Sequence, residues 1–230
     1  MDMKQEKIWE YFQGEGVDNF SGAEHRLYSL FLHVKKYSNK SKINILNIGS
    51  GSGYFEKLCM ETDWNTHTLD IDKNANEKLT KYGVNVHISS IESMPLNDNY
   101  FDFIICSEVL EHLTDNQLKK AIPELYRVTK KDGYIIGTVP NNEKLFENIT
   151  VCPSCNHKYH RWGHWQSFTQ SNIKKIFFEI NFREIKTKVC VFKDYSKISF
   201  LNFIKYFIRF FVSKIDPSFI YSNILFIVKK

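Results

Sequence analysis

The chain has 230 residues, of which 43% are hydrophobic and 25% are charged, and its formal net charge is +5. This composition is that of a globular chain with a substantial core, so it excludes a disordered or fibrous protein. So mild a charge also argues against a strongly basic nucleic-acid binder. The first residues lack the apolar core of a signal peptide, which predicts a cytoplasmic protein whose five cysteines stay reduced.

Residues 1–41 are predicted to form a helical cap or lid. Leu27, Leu30, Phe31 and Val34 recur at helical spacing, so they should form an apolar stripe that docks on a sheet. The glycine-bearing loop "QGEGVDNFSGAE" precedes them, and we expect it to lie over a ligand.

A short apolar strand, Lys42 to Ile48, leads into "GSGSGYFEKL". The glycines at 49, 51 and 53 therefore fall at a strand-to-helix turn, where backbone N–H groups and the helix dipole favour a nucleotide-like ligand. A second strand, "THTLDID", ends in Asp70 and Asp72. Asp70 lies about twenty residues beyond the first glycine, where nucleotide-binding folds place the acid that binds the ribose. The alternative is that both acids only cap the next helix, and Asp72 suits that role.

Four motifs between Ile45 and Asn141, "ILNIGSGSGYFEKL", "LDID", "MPLNDNYFDFIICSEVLEHL" and "GYIIGTVPN", together resemble the class I S-adenosylmethionine-dependent methyltransferases. The resemblance implies an α/β fold: a Rossmann-like, doubly wound sheet of seven strands with the last strand antiparallel. Residues 42–230 would form this methyltransferase domain. S-Adenosyl-L-methionine would lie across the carboxyl ends of the strands.

The resemblance also implies which positions bind this cofactor. They are Asn47, Gly49, Gly51, Gly53, Asp70, Ile71, Ser90, Ile91 and Ser107. Two positions depart from the family pattern. Asn47 stands where an aspartate is common, and Ser90 stands where an acid often contacts the adenine amino group.

The strand Phe101 to Cys106 is predicted to turn into a helix over Ser107 to Leu113, beside the same crevice. Ser107 and Glu108 are candidates for lining the pocket. If the acceptor is a hydroxyl, a general base assists methyl transfer, and His112 with Glu111 is the first candidate. Capping and orienting the helix is an equally good interpretation of this pair.

An insert at residues 146–168 carries "CPSCNHKYHRWGH". Cys152, Cys155, His160 and His164 follow the spacing of a structural zinc site, with His157 as a competitor for His160. One alternative is a loop of reduced cysteines and surface histidines, and another assigns His160 or His164 to catalysis.

The strands 183–192 and 222–230 should form a terminal antiparallel pair. The apolar, basic helical insert between them (194–218) fits, over 198–215, a membrane surface or a dimer contact better than the protein's own core. The chain would then be cytoplasmic, with peripheral attachment to the inner membrane face as an option.

The segments "IWEYFQ", "FSGAE" and "HRWGH" are similar to those of bacterial methyltransferases associated with surface-polysaccharide synthesis. This resemblance implies O-methylation of a small or lipid-linked sugar. A non-catalytic, zinc-containing scaffold with the cofactor fold is the alternative, as is a tRNA or other small-molecule methyltransferase. Nucleic acid is disfavoured because no base-flipping tetrad follows the fourth strand.

Overall fold

The structure is a computed structural model that describes residues 23–73, 79–192 and 222–230. The first 22 residues of the predicted cap and the whole insert 194–218 lie outside this part. The helices and strands, in chain order, are α1 (Glu24–Tyr37), β1 (Asn44–Ile48), α2 (Tyr54–Met60), β2 (Asn65–Asp70), β3 (Asn85–Ile88), β4 (Phe101–Ser107), α3 (Asp115–Val128), β5 (Thr129–Pro140), β6 (Ile149–Val151), β7 (Lys158–His160), α4 (Gln170–Phe178), β8 (Glu184–Cys190) and β9 (Asn223–Lys229). None of the described helices combines the length and apolarity needed to cross a bilayer.

Seven strands form one sheet in the order β3-β2-β1-β4-β5-β9-β8. Neighbours among β1 to β5 pair in parallel, whereas β9 pairs antiparallel with both β5 and β8. This topology confirms the predicted doubly wound α/β fold with an antiparallel last strand. The strand order reverses between β1 and β4, and ligands bind open α/β sheets at such a point, outside the carboxyl ends of the strands.

The hydrophobic core lies on both faces of the sheet. Along β1, Ile45 packs with helices α1 and α2 on one face, whereas Leu46 packs with α3 and α4 on the other. The predicted stripe on α1 is confirmed at Leu30, Phe31 and Val34, which are buried on the first of these faces. Both faces are therefore covered, which leaves the strand ends as the place for a ligand.

The loop after β4 departs from the prediction. Instead of a helix over Ser107 to Leu113, β4 continues through Ser107 and is followed by a single 3-10 turn at Leu110–His112. Thr114 then starts the separate helix α3 through a capping box with Gln117. The helix prediction for Ser107 to Leu113 was wrong because the apolar pattern continues without a break into α3. The Thr114 cap shows that the helix begins only after this segment.

The insert after β5 contains a hairpin that the sequence analysis missed. A 3-10 turn at Leu145–Asn148 leads into β6, which pairs antiparallel with β7 so that Ile149 faces His160 and Val151 faces Lys158. The segment 152–157 is therefore the hairpin tip, and His160 is at its base.

Gly137 lies on β5, between Cys106 of β4 and Phe226 of β9. These neighbours leave no room for a side chain, so position 137 should require glycine. A Cβ atom built on Gly137 would lie 2.1 Å from the Cys106 carbonyl oxygen and 2.4 Å from Phe226 Cζ. Gly137→Ala should therefore lower the free energy of unfolding by about 3 kcal/mol, as measured in urea. Gly83→Ala is the control, because Gly83 also needs a positive φ (76°) but faces open space. We expect it to cost about 1 kcal/mol, and equal losses in the two variants would contradict the packing argument.

Candidate functional site

Three glycines shape the turn between β1 and α2, residues 49–53, called here the glycine turn. Gly49, Gly51 and Gly53 have φ angles of 81°, 51° and 73°, a region that side chains disfavour. An added Cβ at Gly51 would meet nothing within 4 Å, whereas one at Gly53 would strike Leu79 at 2.6 Å. The turn thus leaves open space at its centre, between the strand end and the N-terminus of α2.

Asp70 ties this turn to the end of β2. Its buried carboxylate accepts hydrogen bonds from the backbone N–H of Ser50 at 2.8 Å and from the Ser50 hydroxyl at 2.9 Å. Its other oxygen accepts from the Asp72 N–H at 3.0 Å. The acid that the sequence predicted therefore lies against the glycine turn, as the parallel pairing of Ile48 with Leu69 requires.

Asn47 and Glu56 form a buried pair next to the turn. The sequence analysis identified Asn47 but not Glu56. Asn47 donates from Nδ2 to Glu56 Oε1 at 2.7 Å, and both side chains are buried. Burial raises the pKa of Glu56 above its ordinary value. Asn47 is thus a hydrogen-bond donor to an acid on α2, a role that an aspartate could not fill beside an ionised Glu56. Nothing in the local sequence distinguishes Glu56 from a surface residue of a helix first turn.

The predicted positions after β2 and β3 line the same edge. Ile71 is exposed and Ile91 is buried. The Ser90 hydroxyl donates to Glu92 Oε2 at 2.7 Å. Ser90 occupies the position where the family resemblance would put an acid, and this hydrogen bond engages its hydroxyl.

Ser107, at the end of β4, belongs to a polar group that includes α1. Arg26 donates from Nε to Ser107 Oγ at 3.0 Å, and Thr138 Oγ1 lies 3.0 Å from the same atom. Glu108 follows with a φ of 55°, and its Oε1 accepts from Asn223 at 2.9 Å. Sequence reasoning missed Arg26, because a single basic residue on an amphipathic helix carries no signal for a contact 81 positions away.

Glu111 and His112, the predicted catalytic pair, lie next along the chain. The Glu111 side chain is fully buried, and neither of its carboxyl oxygens has a hydrogen-bond partner among the described residues. Burial, and next the nearby Glu108 carboxylate, raises the pKa of Glu111 well above its usual range. Burial, and next the His164 ring, lowers the pKa of His112. Both groups therefore favour their neutral forms in the bare site.

Three more side chains lie beside this pair: His164 and His160 from the insert, and Glu143 from the segment between β5 and the insert. The His164 ring centroid lies 4.6 Å from that of His112, and His164 Nδ1 donates to the Glu143 carboxylate. His160 Nε2 lies 3.4 Å from the other oxygen of Glu143. Burial by itself would raise the pKa of Glu143. The hydrogen bond from His164 acts in the opposite direction, and the pKa of Glu143 is lowered. These five residues, Glu111, His112, Glu143, His160 and His164, are called the His–Glu cluster.

Glu143 was missed by the sequence analysis, although a signal was present. It lies three residues after β5, at the same sheet edge as the glycine turn, and the rule for carboxyl ends of parallel strands points to it.

The structure does not form the predicted zinc site of two cysteines and two histidines. Cys155 is exposed and Cys152 half-buried at the hairpin tip, where Asn156 N–H donates to the Cys152 carbonyl. His160 is at the hairpin base and His164 beyond it. Among the described residues, the groups with metal-binding geometry contain these two histidines and no cysteine. The hairpin ladder, which the spacing could not reveal, separates the two halves of the predicted site.

Comparison with known proteins agrees with this geometry. Residues 46–137 match a family model described as a methyltransferase domain. The match covers the glycine turn, Asp70 and the Glu111–His112 pair, and it ends before Glu143 and the insert.

Two curated relatives share part of the chain. An uncharacterized protein of Methanocaldococcus jannaschii is 36% identical over 116 residues, which are 50% of this chain and 49% of that protein. The malonyl-[acyl-carrier protein] O-methyltransferase of Buchnera aphidicola is 29% identical over 159 residues, which are 67% of this chain and 63% of that protein. The chain thus spans less than two thirds of the length of either relative.

A solved structure matches over nearly the whole chain. The crystal structure of a SAM-dependent methyltransferase from Archaeoglobus fulgidus superposes with a TM-score of 0.65 at 21% identity, covering 98% of this chain and 99% of that one. At this identity the likeness shows a shared fold.

The buried Glu56 makes stability fall as pH rises. Its pKa is higher in the folded chain than in the unfolded one, so its protonation stabilises the fold fully below about pH 4.5. That contribution is lost as pH rises through the folded pKa, by about 1.4 kcal/mol for each pKa unit of difference. Glu56→Gln removes the titration. Between pH 4.5 and pH 8, urea unfolding should therefore show wild type losing stability relative to this variant.

Glu61→Gln is the matched control, since Glu61 is exposed at the end of the same helix. The difference between wild type and Glu61→Gln should not change with pH. A parallel pH dependence of wild type and Glu56→Gln would show that the buried carboxyl does not set this slope.

Proposed function

We propose that this chain, which has the fold of S-adenosylmethionine-dependent methyltransferases and a matched methyltransferase domain, methylates a hydroxyl group of a small or lipid-linked sugar. The observation that carries the proposal is the open glycine turn with the Asp70 carboxylate beside it. Cofactor binding and the choice of acceptor are separate claims and have separate tests.

The described residues fit the cofactor. The space over Gly51, which a Cβ would begin to fill, would admit the methionyl part, and Asp70 would accept hydrogen bonds from the ribose hydroxyls. When bound, S-adenosylmethionine supplies an electrophilic methyl group on a sulfonium. The residues of this chain would hold and orient the two reactants, which is the main task of the protein in such a transfer.

The acceptor side would be formed by the insert. Trp165 is exposed and Trp162 partly so, and both lie in the loop whose backbone N–H groups at Trp165 and Gln166 bind the Glu111 carbonyl, at 2.7 and 3.0 Å. An exposed indole beside a polar cluster suits a sugar ring, whose C–H face packs on an aromatic ring while its hydroxyls reach polar groups. The link to polysaccharide synthesis and the membrane or dimer role of 198–215 remain proposals from the sequence.

A structural zinc on Cys152, Cys155, His160 and His164 is not part of the proposal. The hairpin separates the cysteines from both histidines, and His164 is bound to Glu143 instead.

The first test is cofactor binding. Calorimetry should show binding of S-adenosylhomocysteine to the wild type, and Asp70→Asn should weaken it about 10- to 100-fold. The reason is that hydrogen bonds to an ionised acceptor contribute about 1.5–3 kcal/mol. Asn keeps an acceptor oxygen for Ser50, so the turn should survive, which far-UV circular dichroism will show.

Asp63→Asn is the matched control, an exposed acid next to the opposite ends of the strands. It should bind as the wild type does. A wild type that binds neither S-adenosylmethionine nor its demethylated product would instead favour the non-catalytic scaffold.

The second test concerns the acceptor. Trp165→Ala should raise KM for a sugar acceptor about fivefold, which corresponds to about 1 kcal/mol of lost ring packing, while leaving S-adenosylhomocysteine affinity unchanged. Phe178→Ala removes an aromatic side chain that is 71% exposed at the end of α4, outside this loop, and should change neither value. An equal effect of both substitutions on KM would argue against an acceptor platform at Trp165.

A further inference from the structure

We propose that Glu111, His112 and His164 bind a divalent transition-metal cation on the acceptor side of the cleft. Their ligand atoms all lie within 4.8 Å of one another, as coordination of a single ion requires. Two imidazoles and one carboxylate are a ligand set that first-row divalent metals accept, and three protein ligands leave coordination positions open for another molecule.

The hydrogen bonds of both histidines orient a lone pair for a metal. His112 Nδ1 lies 3.3 Å from the Gly163 carbonyl oxygen, and His164 Nδ1 contacts the Glu143 carboxylate. A carbonyl or carboxylate oxygen only accepts, so this network assigns the proton of each ring to Nδ1 and the lone pair to Nε2.

Glu143 and His160 act as positioning residues behind His164. Metal-binding histidines commonly donate their second ring N–H to a carboxylate or to a backbone carbonyl, and His164 and His112 show one case each. Glu143 in turn lies 3.4 Å from His160 Nε2. The chain thus supplies the outer shell that such a site needs.

The environment of the Glu111 carboxyl group is a second, independent observation that points to a cation. A fully buried carboxyl group without a hydrogen-bond partner among the described residues destabilises the fold even when it is neutral, because its desolvation is not compensated. Among the ion pairs of the described residues, the Glu111 carboxyl group is paired with His112 Nε2, at 4.0 Å. A divalent cation would give the ionised carboxylate a strong partner and so account for an acid at this buried position.

The neighbouring set Glu143, His160 and His164 also has its ligand atoms within 4.8 Å, but its chemistry does not suit a metal. His160 Nδ1 accepts from the backbone N–H groups of Trp162 and His164, at 3.3 and 3.1 Å. The proton of His160 is therefore on Nε2, the atom that faces Glu143, and no lone pair is left there for a cation.

The task of the cation rests on the proposed function, whereas its binding does not. An acceptor hydroxyl bound to the cation at its open coordination positions would have its pKa lowered, and the hydroxyl proton would pass to solvent. Glu111 and His112, predicted from the sequence as acid–base residues, would then act as ligands.

The experiment is a Co²⁺ titration of the EDTA-treated full-length chain, followed by visible absorption, without S-adenosylmethionine. Wild type should bind one Co²⁺ with ligand-field bands of a nitrogen–oxygen site and no thiolate charge-transfer band. Glu111→Gln and His164→Gln should weaken binding at least about 100-fold, and Glu143→Gln about 10- to 100-fold, as expected for an outer-shell partner. Wild type should also show a cation-dependent rise in Tm that Glu111→Gln lacks.

The double variant Cys152→Ser/Cys155→Ser and the exposed-site variant His157→Gln are the controls, and both should bind as wild type does. The proposal is overturned if wild type binds no Co²⁺, if Glu111→Gln binds it equally well, or if a thiolate band appears and is lost in the cysteine variant. Should Glu111→Gln fail to fold by circular dichroism, His164→Gln and Glu143→Gln decide. Calorimetry with S-adenosylhomocysteine on the same samples tests the methyltransferase proposal separately.

Discussion

The carboxylate of Asp70 and its two hydrogen bonds from Ser50 hold together the part of the molecule on which the cleft depends. A turn of three glycines with positive φ has few contacts of its own, and its backbone entropy opposes a single conformation. Because β1 and β2 pair in parallel with Ile48 opposite Leu69, the acid that ends β2 arrives beside the turn. The register of two strands thus positions both the turn and the charge beside it.

A comparable constraint forms the other side of the cleft, where two loops from different strands meet. Backbone N–H groups of the insert bind the Glu111 carbonyl, and the Gly163 carbonyl accepts from His112. These bonds use main-chain groups that must be satisfied in any case, so they position the insert without a large apolar core. A structural zinc at the predicted ligands would have held this polar loop by binding its side chains together. The described contacts show another means, which frees His164 for a role inside the cleft.

The fold was predictable from the sequence because its signals are local and repeated. Period and spacing indicate the apolar strands, the glycine turn and the acid at a strand end. The resemblance that these motifs carry implied the seven-stranded topology, and the structure agrees. The His–Glu cluster was predictable only in part. His112 and His164 stand out in the sequence, but the geometry that selects them over His157 and the cysteines comes from the β6–β7 register. Arg26 and Glu56 carried no signal, since their roles depend on partners far away in the chain or on a burial that one helix turn does not reveal.

Two buried carboxyl groups show how the same cost is met in different ways. Glu56 has a donor, Asn47, at 2.7 Å and lies beneath the glycine turn, so it belongs to the support of the turn. The Glu111 carboxyl group has no hydrogen-bond partner among the described residues, and it lies among histidines whose proton positions are set by Gly163 and Glu143. A purely structural acid would be expected to find a donor, as Glu56 does, because folding selects against buried polar atoms without partners. A buried acid that lacks one, beside the carboxyl ends of the strands, is better explained by a partner that arrives from outside the chain. A metal cation is such a partner, since Arg26, a basic side chain near Glu111 in the described part of the chain, donates to Ser107 instead.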